Sequence, residues 1–413
     1  MKKNNIKKSF IFGMILPFVP ASFLISSACN TKTKQDEKEI QYHEIKNEIA
    51  TKLNNIKDSS KKEQFQNEFL NLFSLEETKN FTILIEKATQ LLNKINQENS
   101  TNEDQDNDEE KETPKPENED NSTTASGFAP TTSSGYAIEY DSSNSFYSSL
   151  NGLSGETLRN ELFKIQVANR DKTGSYAALH ETYKDAFVDK YYENDGTVLD
   201  LYTEIPNGKD KHTFRFGQYR DTGNREGAGM NREHIIAQSW FSKQSPMRND
   251  AHHVWPSDKY VNAIHGNFPY GETKNGDVVS SNGSKIGNGI EDGRKVFEVI
   301  DEFKGDIARV FFYFALTYGD KSIANNESGS RVFEFQKGKY KIKSNYLKTY
   351  LKWNKNDGIS QFDIDRNNGI FKHQGNRNPF IDYPELIKVY FENDNSFIFN
   401  NKGVGKKLIK INN

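Results

Sequence analysis

An acidic, low-complexity segment over residues 98–135 constrains how this chain can fold more than any other stretch. Residues 98–120 contain eleven acidic residues and two lysines, and a Ser/Thr/Gly-rich run follows them. Such a composition cannot bury an apolar core, and repulsion between its like charges favours an extended chain. We therefore predict a disordered linker over residues 98–135, between a short N-terminal part and a longer C-terminal part.

The whole chain is polar for its length of 413 residues. Its hydrophobic content is 34% and its mean hydropathy is −0.85, so a good part of it cannot be buried. Cys29 is the single cysteine, which excludes an intrachain disulfide framework. Stability must therefore come from packing and from bound ligands.

The N-terminus predicts export. Four lysines precede an apolar stretch over residues 10–25 that is short and interrupted by two prolines, which is typical of a signal peptide rather than a spanning helix. Small residues then precede Cys29, as in bacterial lipoprotein signals. We predict a lipoprotein-type signal peptide over residues 1–29, with Cys29 carrying the lipid (palmitate) that anchors the protein to the extracellular face of the cell membrane. The alternative is an ordinary cleaved secretion signal and a secreted protein.

Residues 30–97 predict a small helical region. Apolar residues recur at spacings of three to five over residues 40–56, and again over residues 84–95. That spacing is the signature of amphipathic helices with one apolar stripe. We predict a helical spacer without a chemical role.

Residues 136–413 have the composition of a folded domain, with most of the aromatic residues and all three tryptophans. Their 38 basic and 36 acidic residues nearly balance, so charge alone does not indicate a nucleic-acid binder. Helical spacing predicts core helices over residues 154–168 and 301–318. The β-prone runs 211–216 and 253–255 are too short for a large sheet. We predict an α+β fold that is mainly helical.

One set of residues in this domain predicts a catalytic site: Asn231-Arg232-Glu233-His234, then Asp250 to Pro256, then Val261-Asn262. The order predicts a strand, a loop, a short strand and a helix, which together form a compact ββα finger. Phosphodiester hydrolysis needs an activated water and neutralised phosphoryl oxygens. We predict His234 as the general base. Glu233 and Asn262 are the predicted ligands of one divalent ion, most simply Mg²⁺, with Mn²⁺ and Ca²⁺ as further candidates.

Seven sequence blocks, taken together, resemble the bacterial endonuclease I family, a group of secreted or periplasmic nucleases of the His-Me finger class. The blocks are Asn231 to His234, Gln238 to Phe241, Asp250 with His252 and His253, Val261-Asn262, Asn267 to Glu272, Lys304 to Arg309, and Gly375 to Asp382. They lie in the same order between about residues 215 and 390, and nothing before Tyr136 takes part. The resemblance implies an endonuclease I-like nuclease domain over residues 136–413.

The resemblance also implies an activity and further site residues. It implies sequence-non-specific cleavage of DNA, and often of RNA, with one divalent ion. Arg248 corresponds to an arginine near the product phosphate, where a guanidinium can bind phosphate through two hydrogen bonds. We expect His253, His265 and Arg377 to contact the substrate or to support the site. His265 stands where such nucleases usually have arginine, and Ala237 where proline is common, so phosphate binding is expected to be weaker or pH-dependent.

Two alternatives stay open at this point. The first is a non-catalytic surface lipoprotein, a binding module that keeps the nuclease scaffold; an incomplete Glu-His-Asn set would favour it, and here the set is complete. The second is a zinc hydrolase that uses His234, His252 and His265, although the chain has neither a His-Glu-x-x-His motif nor a cysteine ligand beside them.

Overall fold

The computed structural model describes residues 80–103, 130–220 and 223–411, together with scattered positions between residues 38 and 72. Cys29, the predicted signal peptide and residues 104–129 of the predicted linker lie outside the described residues. Within the described part, no helix is both long enough and apolar enough to cross a membrane. The chain divides into two compact units, Met1–Pro116 and Glu117–Asn413.

The first unit contains one continuously described helix. Helix α1 spans Phe81–Glu103, so it continues into the stretch in which the sequence predicts a linker. The predicted apolar stripe of this helix is buried, and it packs against apolar residues from earlier in the unit: Leu84, Ala88, Leu91, Leu92 and Ile95 against Tyr42, Ile49, Ile56, Phe65 and Leu72. Burial of one stripe explains why the spacing of apolar residues follows the helical period.

The second unit combines nine helices with four small sheets in its described residues. The helices are α2 (Gly155–Asn169), α3 (Leu179–Ala186), α4 (Lys259–His265), α5 (Lys304–Tyr318), α6 (Glu327–Val332), α7 (Ser344–Asn356), α8 (Gln361–Gln374), α9 (Pro379–Asp382) and α10 (Leu386–Phe391). The strands are β1 (Tyr136–Asp141), β2 (Met230–His234), β3 (Val254–Asp258), β4 (Thr273–Val278), β5 (Lys285–Gly289), β6 (Lys295–Glu298), β7 (Phe333–Gln336), β8 (Lys339–Ile342) and β9 (Val404–Lys410). The sheets pair as β1-β9, β2-β3, β4-β5-β6 and β7-β8. The predicted α+β class, mainly helical, is confirmed.

Helix α5 is the axis of the core. Every residue from Gly305 to Tyr318 is buried, which a helix can achieve only when other elements cover all its faces. Helix α7 packs along it, where the rings of Phe311 and Tyr350 stack with their centroids 4.3 Å apart. The sequence prediction began this helix at Asp301, but residues Asp301–Phe303 form a separate 3-10 turn.

The two ends of the second unit meet in one sheet. Strands β1 and β9 pair antiparallel, with Tyr136 opposite Lys410. Residues before Tyr136 also pack on this unit, because the Thr132 amide donates to the Ile359 carbonyl at 2.8 Å. Residues 130–135, which the sequence placed in the linker, therefore contact the start of α8.

Strands β2 and β3 form an antiparallel ribbon in which Glu233 lies opposite Trp255. Asp258 ends β3 and caps helix α4, since its Oδ1 accepts from the Val261 amide at 2.9 Å. The predicted ββα order is thus present. Residues 211–216, all described, form bends and a turn instead of the predicted β-run.

The tandem histidines differ from their prediction. The β-prone run was expected to begin at His253, but His252 and His253 both lie in the turn before β3, and both are buried. Asp250 makes that turn: its Oδ1 accepts from the His252 amide at 3.0 Å, and its carbonyl accepts from the amides of His253 and Val254. A short acidic side chain that bonds the backbone two residues on favours a turn over an extended strand.

Candidate active site

A polar cavity of about 300 Å³ opens at the ββα finger. Strand β2 supplies one wall and helix α4 another. The lining residues are Tyr176, Asn231, Arg232, Glu233, His234, Ala237, Gln238, Asn262, Gly266 and Asn267. The three residues to which the sequence assigned base and ligand roles, Glu233, His234 and Asn262, therefore line one cavity.

The imidazole of His234 is held in one orientation. Its Nε2 lies 3.1 Å from the Arg248 carbonyl oxygen. A carbonyl only accepts hydrogen bonds, so Nε2 carries the hydrogen and Nδ1 is left as the proton-accepting nitrogen. The Tyr176 ring stacks on the imidazole with centroids 5.9 Å apart and planes 24° apart. One face and one edge of the ring are thus fixed by neighbours.

The surroundings of His234 favour the neutral imidazole. Burial lowers its pKa to about 3, and the nearby His253 ring acts in the same direction. A low dielectric disfavours the charged form of any base. At neutral pH the ring is therefore in the form that can accept a proton.

Glu233 points away from His234, because successive side chains on a strand project to opposite sides. Its Oε1 accepts a hydrogen bond from the Tyr270 hydroxyl at 3.2 Å and lies 2.9 Å from His265 Nδ1. The other ring nitrogen of His265 is 2.8 Å from the Phe268 carbonyl oxygen. The His265 ring therefore lies between the Glu233 carboxylate on one side and the Phe268 carbonyl on the other.

The amide of Asn262 is oriented by its neighbours. Its Nδ2 donates to Asn231 Oδ1 at 2.9 Å and lies 3.4 Å from Ser257 Oγ. These contacts occupy the nitrogen end of the amide and leave Oδ1 as the atom available to a ligand. One carboxylate and one amide oxygen on a shared cavity match the donors of Mg²⁺, which usually takes few protein ligands and keeps several waters.

The chain is similar to several known proteins. A family model described as Endonuclease I matches residues 154–385. The chain is 31% identical over 264 residues to a protein named extracellular ribonuclease from Bacillus amyloliquefaciens, which covers 62% of this chain and 81% of that protein. A protein of the same name from Bacillus subtilis (strain 168) is 31% identical over 255 residues, which covers 60% and 79%. A protein named endonuclease-1 from Buchnera aphidicola subsp. Baizongia pistaciae (strain Bp) is 26% identical over 135 residues, or 33% of this chain and 46% of that protein.

The chain belongs to the endonuclease I family. The match spans the whole ββα finger and runs through helix α9, so it contains the entire cavity described above. The protein is accordingly a nuclease that acts on nucleic acid. Strands β1 and β9 lie outside the matched residues.

Arg248, which the sequence placed near the phosphate, does not line the cavity of this endonuclease I family member. Its guanidinium carbon lies 4.5 Å from the centroid of the Tyr176 ring, and Tyr176 does line the cavity. Its Nε is buried without a hydrogen-bond partner among the described residues. Arg248 thus contacts residues of the cavity in two ways, through the carbonyl that bonds His234 and through the guanidinium that lies over the Tyr176 ring.

Arg377 is not at the site. It is buried, and its Nε lies 2.7 Å from Asp382 Oδ2 and its Nη2 2.7 Å from Oδ1 of the same carboxylate. The carboxylate also accepts from the Tyr147 hydroxyl and from Asn367. A buried ion pair occupies the guanidinium of Arg377, and Arg377 does not line the cavity, so its predicted contact with substrate or support of the site stays a prediction. The ion pair ties α9 to the core.

The histidines proposed as zinc ligands do not converge. His234 faces the Arg248 carbonyl, whereas His252 Nε2 faces the Asn376 carbonyl at 3.3 Å. His265 faces Glu233 and the Phe268 carbonyl. His253 supports the site by packing, since its ring centroid lies 5.8 Å from that of His234 while its Nε2 bonds the Met247 carbonyl.

Sequence reasoning missed four residues of the site: Tyr176, Asn231, Arg232 and Tyr270. Asn231 and Arg232 lie inside the quoted motif, and their position beside Glu233 was a usable signal. Arg232 places its guanidinium 3.7 Å from the Tyr176 ring centroid and donates to the Tyr176 carbonyl. Nothing in the sequence around Tyr176 marks it, because only the tertiary fold brings residues so far apart together.

Proposed function

We propose that this nuclease is a divalent-metal-dependent, sequence-non-specific endonuclease that hydrolyses phosphodiester bonds of extracellular DNA and RNA. The observation that carries the proposal is the free Nδ1 of His234 on the same cavity as Glu233 and Asn262. RNA is included because two relatives are named extracellular ribonuclease, and DNA because of the family resemblance read from the sequence.

Glu233 and Asn262 would hold the divalent ion, most simply Mg²⁺. Their oxygens are of the hard type that this ion prefers, and Tyr270 and His265 fix the carboxylate from behind. A bound divalent ion would supply charge neutralisation at the phosphoryl oxygens and at the leaving oxygen.

A side chain of the protein then takes up the proton of the attacking water. His234 Nδ1 accepts the proton of the attacking water, while the Nε2–H bond to the Arg248 carbonyl keeps the ring aligned and stabilises the imidazolium that forms. The Arg232 and Arg248 guanidiniums beside Tyr176 are placed to attract the phosphate backbone. None of these contacts reads a base edge, which supports sequence-independent cleavage.

A plasmid and RNA cleavage assay tests the proposal. The chain from residue 30 onward is incubated with supercoiled DNA or single-stranded RNA, with magnesium or with chelator. His234→Ala is expected to lose at least about a hundredfold in rate, as removal of a general base does. His373→Ala, an exposed histidine on α8, is the matched control and should cleave like the wild type.

The outcomes separate the alternatives. Cleavage that survives complete chelation would exclude the metal-dependent mechanism. Absence of cleavage by the wild-type chain with any divalent ion would favour the binding module that keeps the nuclease scaffold. Equal activity of His234→Ala and wild type would exclude His234 as the base.

We also propose that the enzyme is lipid-anchored at the extracellular face of the cell membrane through Cys29. The support is the basic, apolar and small-residue order of residues 1–29. Cys29→Ala should move the nuclease from the membrane fraction into the medium. If the variant stays with the membrane, the anchor is not Cys29.

A further inference from the structure

A second acidic cluster lies in the loop between α3 and β2. Asp189, Glu193 and Glu204 each offer a carboxylate oxygen, and these oxygens lie within 4.8 Å of one another. None of the three lines the cavity of the ββα finger. The cluster is therefore a separate feature of the nuclease domain.

Glu204 is the unusual member of this acidic cluster. Its side chain is 0% exposed, and neither of its carboxylate oxygens has a hydrogen-bond partner among the described residues. Oε2 of Glu193 is likewise buried and unpartnered within the described part of the chain. A carboxylate buried without a partner opposes folding unless something neutralises it.

The outer oxygens of the cluster are already fixed by the backbone. Asp189 Oδ1 accepts from the amides of Tyr191 and Tyr192 at 3.1 and 3.2 Å. Glu193 Oε1 accepts from the Asp210 amide at 2.8 Å. These bonds hold two carboxylates in place and leave other oxygens free for a shared ligand.

Within the described residues, no lysine or arginine forms an ion pair with Asp189, Glu193 or Glu204. Buried carboxylates that converge in this way are stabilised by a bound cation.

We propose that Asp189, Glu193 and Glu204 bind a divalent cation of the calcium type, at a structural site distinct from the nuclease cavity. The ligand set consists of carboxylates on an irregular loop, without sulfur or imidazole, which suits a hard cation. Three carboxylates match Ca²⁺, which takes six to eight oxygens in flexible geometry, better than Mg²⁺, which is rarely held by an all-protein cage.

The loop that carries this site also supports the nuclease cavity. The Tyr202 hydroxyl lies 2.6 Å from that of Tyr270, which in turn donates to Glu233. Asp200 Oδ2 accepts from the amide of Asp258, the residue that caps α4. A cation bound at Glu204 would thus stabilise the loop that positions Glu233 and Asn262, the two proposed ligands of the catalytic ion. This consequence rests on the proposed function, whereas cation binding itself does not.

Calcium titration of the full chain, without nucleic acid, tests the site. Isothermal titration calorimetry with calcium chloride should show binding, and calcium should raise Tm because it binds only the folded state. Glu204→Gln should weaken calcium binding at least about tenfold, because it removes a charged ligand. Glu156→Gln, an exposed carboxylate on α2, is the control and should bind like the wild type.

A Glu233→Gln variant distinguishes this site from the nuclease site. It should keep the calcium-induced rise in Tm even if cleavage fails, and loss of that rise would overturn the proposal. If Glu204→Gln does not fold, the partly exposed Glu193 provides the second variant, Glu193→Gln, with the same expected loss. The assignment would be overturned if the wild type did not bind calcium, or if the folded variants bound calcium as the wild type does. It would also be overturned if magnesium raised Tm as much as calcium.

Discussion

Single side chains behind the cavity decide how well Glu233 can serve as a ligand. Tyr270 is fully buried and uses its hydroxyl twice, as a donor to Glu233 and as the partner of Tyr202. Such outer contacts fix the direction of a ligand. His265 contributes from the other side, where a family arginine would be expected. Because His265 is fully buried, it supports Glu233 rather than reaching a phosphate.

Tyr270→Phe should raise the magnesium concentration needed for half-maximal cleavage by about 10- to 100-fold, since it removes a hydrogen bond to the proposed ligand. Cleavage rates over a magnesium titration measure this. Tyr383→Phe is the control: that hydroxyl is also buried, but it bonds the Gly403 carbonyl far from the cavity lining. A magnesium requirement that shifts equally in both variants would contradict the role of Tyr270.

Arg248→Ala should weaken substrate binding and reduce its salt dependence. Each cation that contacts a phosphate releases about one counterion, so the slope of log K against log salt should fall by about one. The carbonyl that holds His234 survives the substitution, and kcat should change less than KM. Lys243→Ala, an exposed cation nearby in the sequence, is the control. An unchanged KM and salt slope would show that the Arg248 guanidinium does not contact the phosphate.

At the scale of elements, the crossing of α8 over the end of α3 permits no side chain at residue 369. A Cβ on Gly369 would lie 2.8 Å from Cα of Ala186 and from backbone atoms of Asp185. The obstacle is backbone on a packed helix, so it cannot move aside as a flexible side chain would. Glycine here allows two helices to approach closely, which explains its place in the middle of a helix despite its poor helix propensity.

Gly369→Ala should therefore destabilise the protein. Overpacking typically costs about 1–3 kcal/mol, which exceeds the gain of about 1 kcal/mol from the better helix propensity of alanine. The measurement is Tm and urea denaturation, with Lys348→Ala on the exposed face of α7 as the control. A variant as stable as the wild type would mean that the α3 and α8 backbones separate without cost.

The elements predictable from sequence are those whose signals are local. The ββα finger followed from the order of motifs within a short stretch, and the core helix α5 followed from its apolar spacing. The turn at His252 depends on side-chain bonds of Asp250, which periodicity does not report. Tyr176 and Glu204 acquire their roles only through tertiary contacts, so no local pattern could identify them.

At the scale of the molecule, the described residues of each compact unit have their own apolar core. A unit with its own core can in principle fold alone. In the second unit the chain ends meet in β1 and β9, and this pair covers a small apolar cluster made of Ile359, Ile364, Ile381 and Leu408. The boundary that matters for stability is thus near residue 130, where Pro130 and Thr132 bond the backbone at the start of α8, and not at the start of the family match at residue 154.

Two truncations test this boundary. A fragment of residues 130–413 should keep kcat/KM within about twofold of the longer chain, because it retains the whole cavity and its supporting loop. A fragment of residues 142–413 lacks β1, which leaves β9 as an unpaired edge and removes the Tyr140 hydroxyl from the Asp382 carbonyl. That fragment should show a lower Tm and lower soluble yield, measured by calorimetry and sedimentation. Equal stability of the two fragments would mean that the β1-β9 pair contributes nothing to the stability of the nuclease fold. Loss of activity in the fragment of residues 130–413 would mean that the first unit takes part in cleavage.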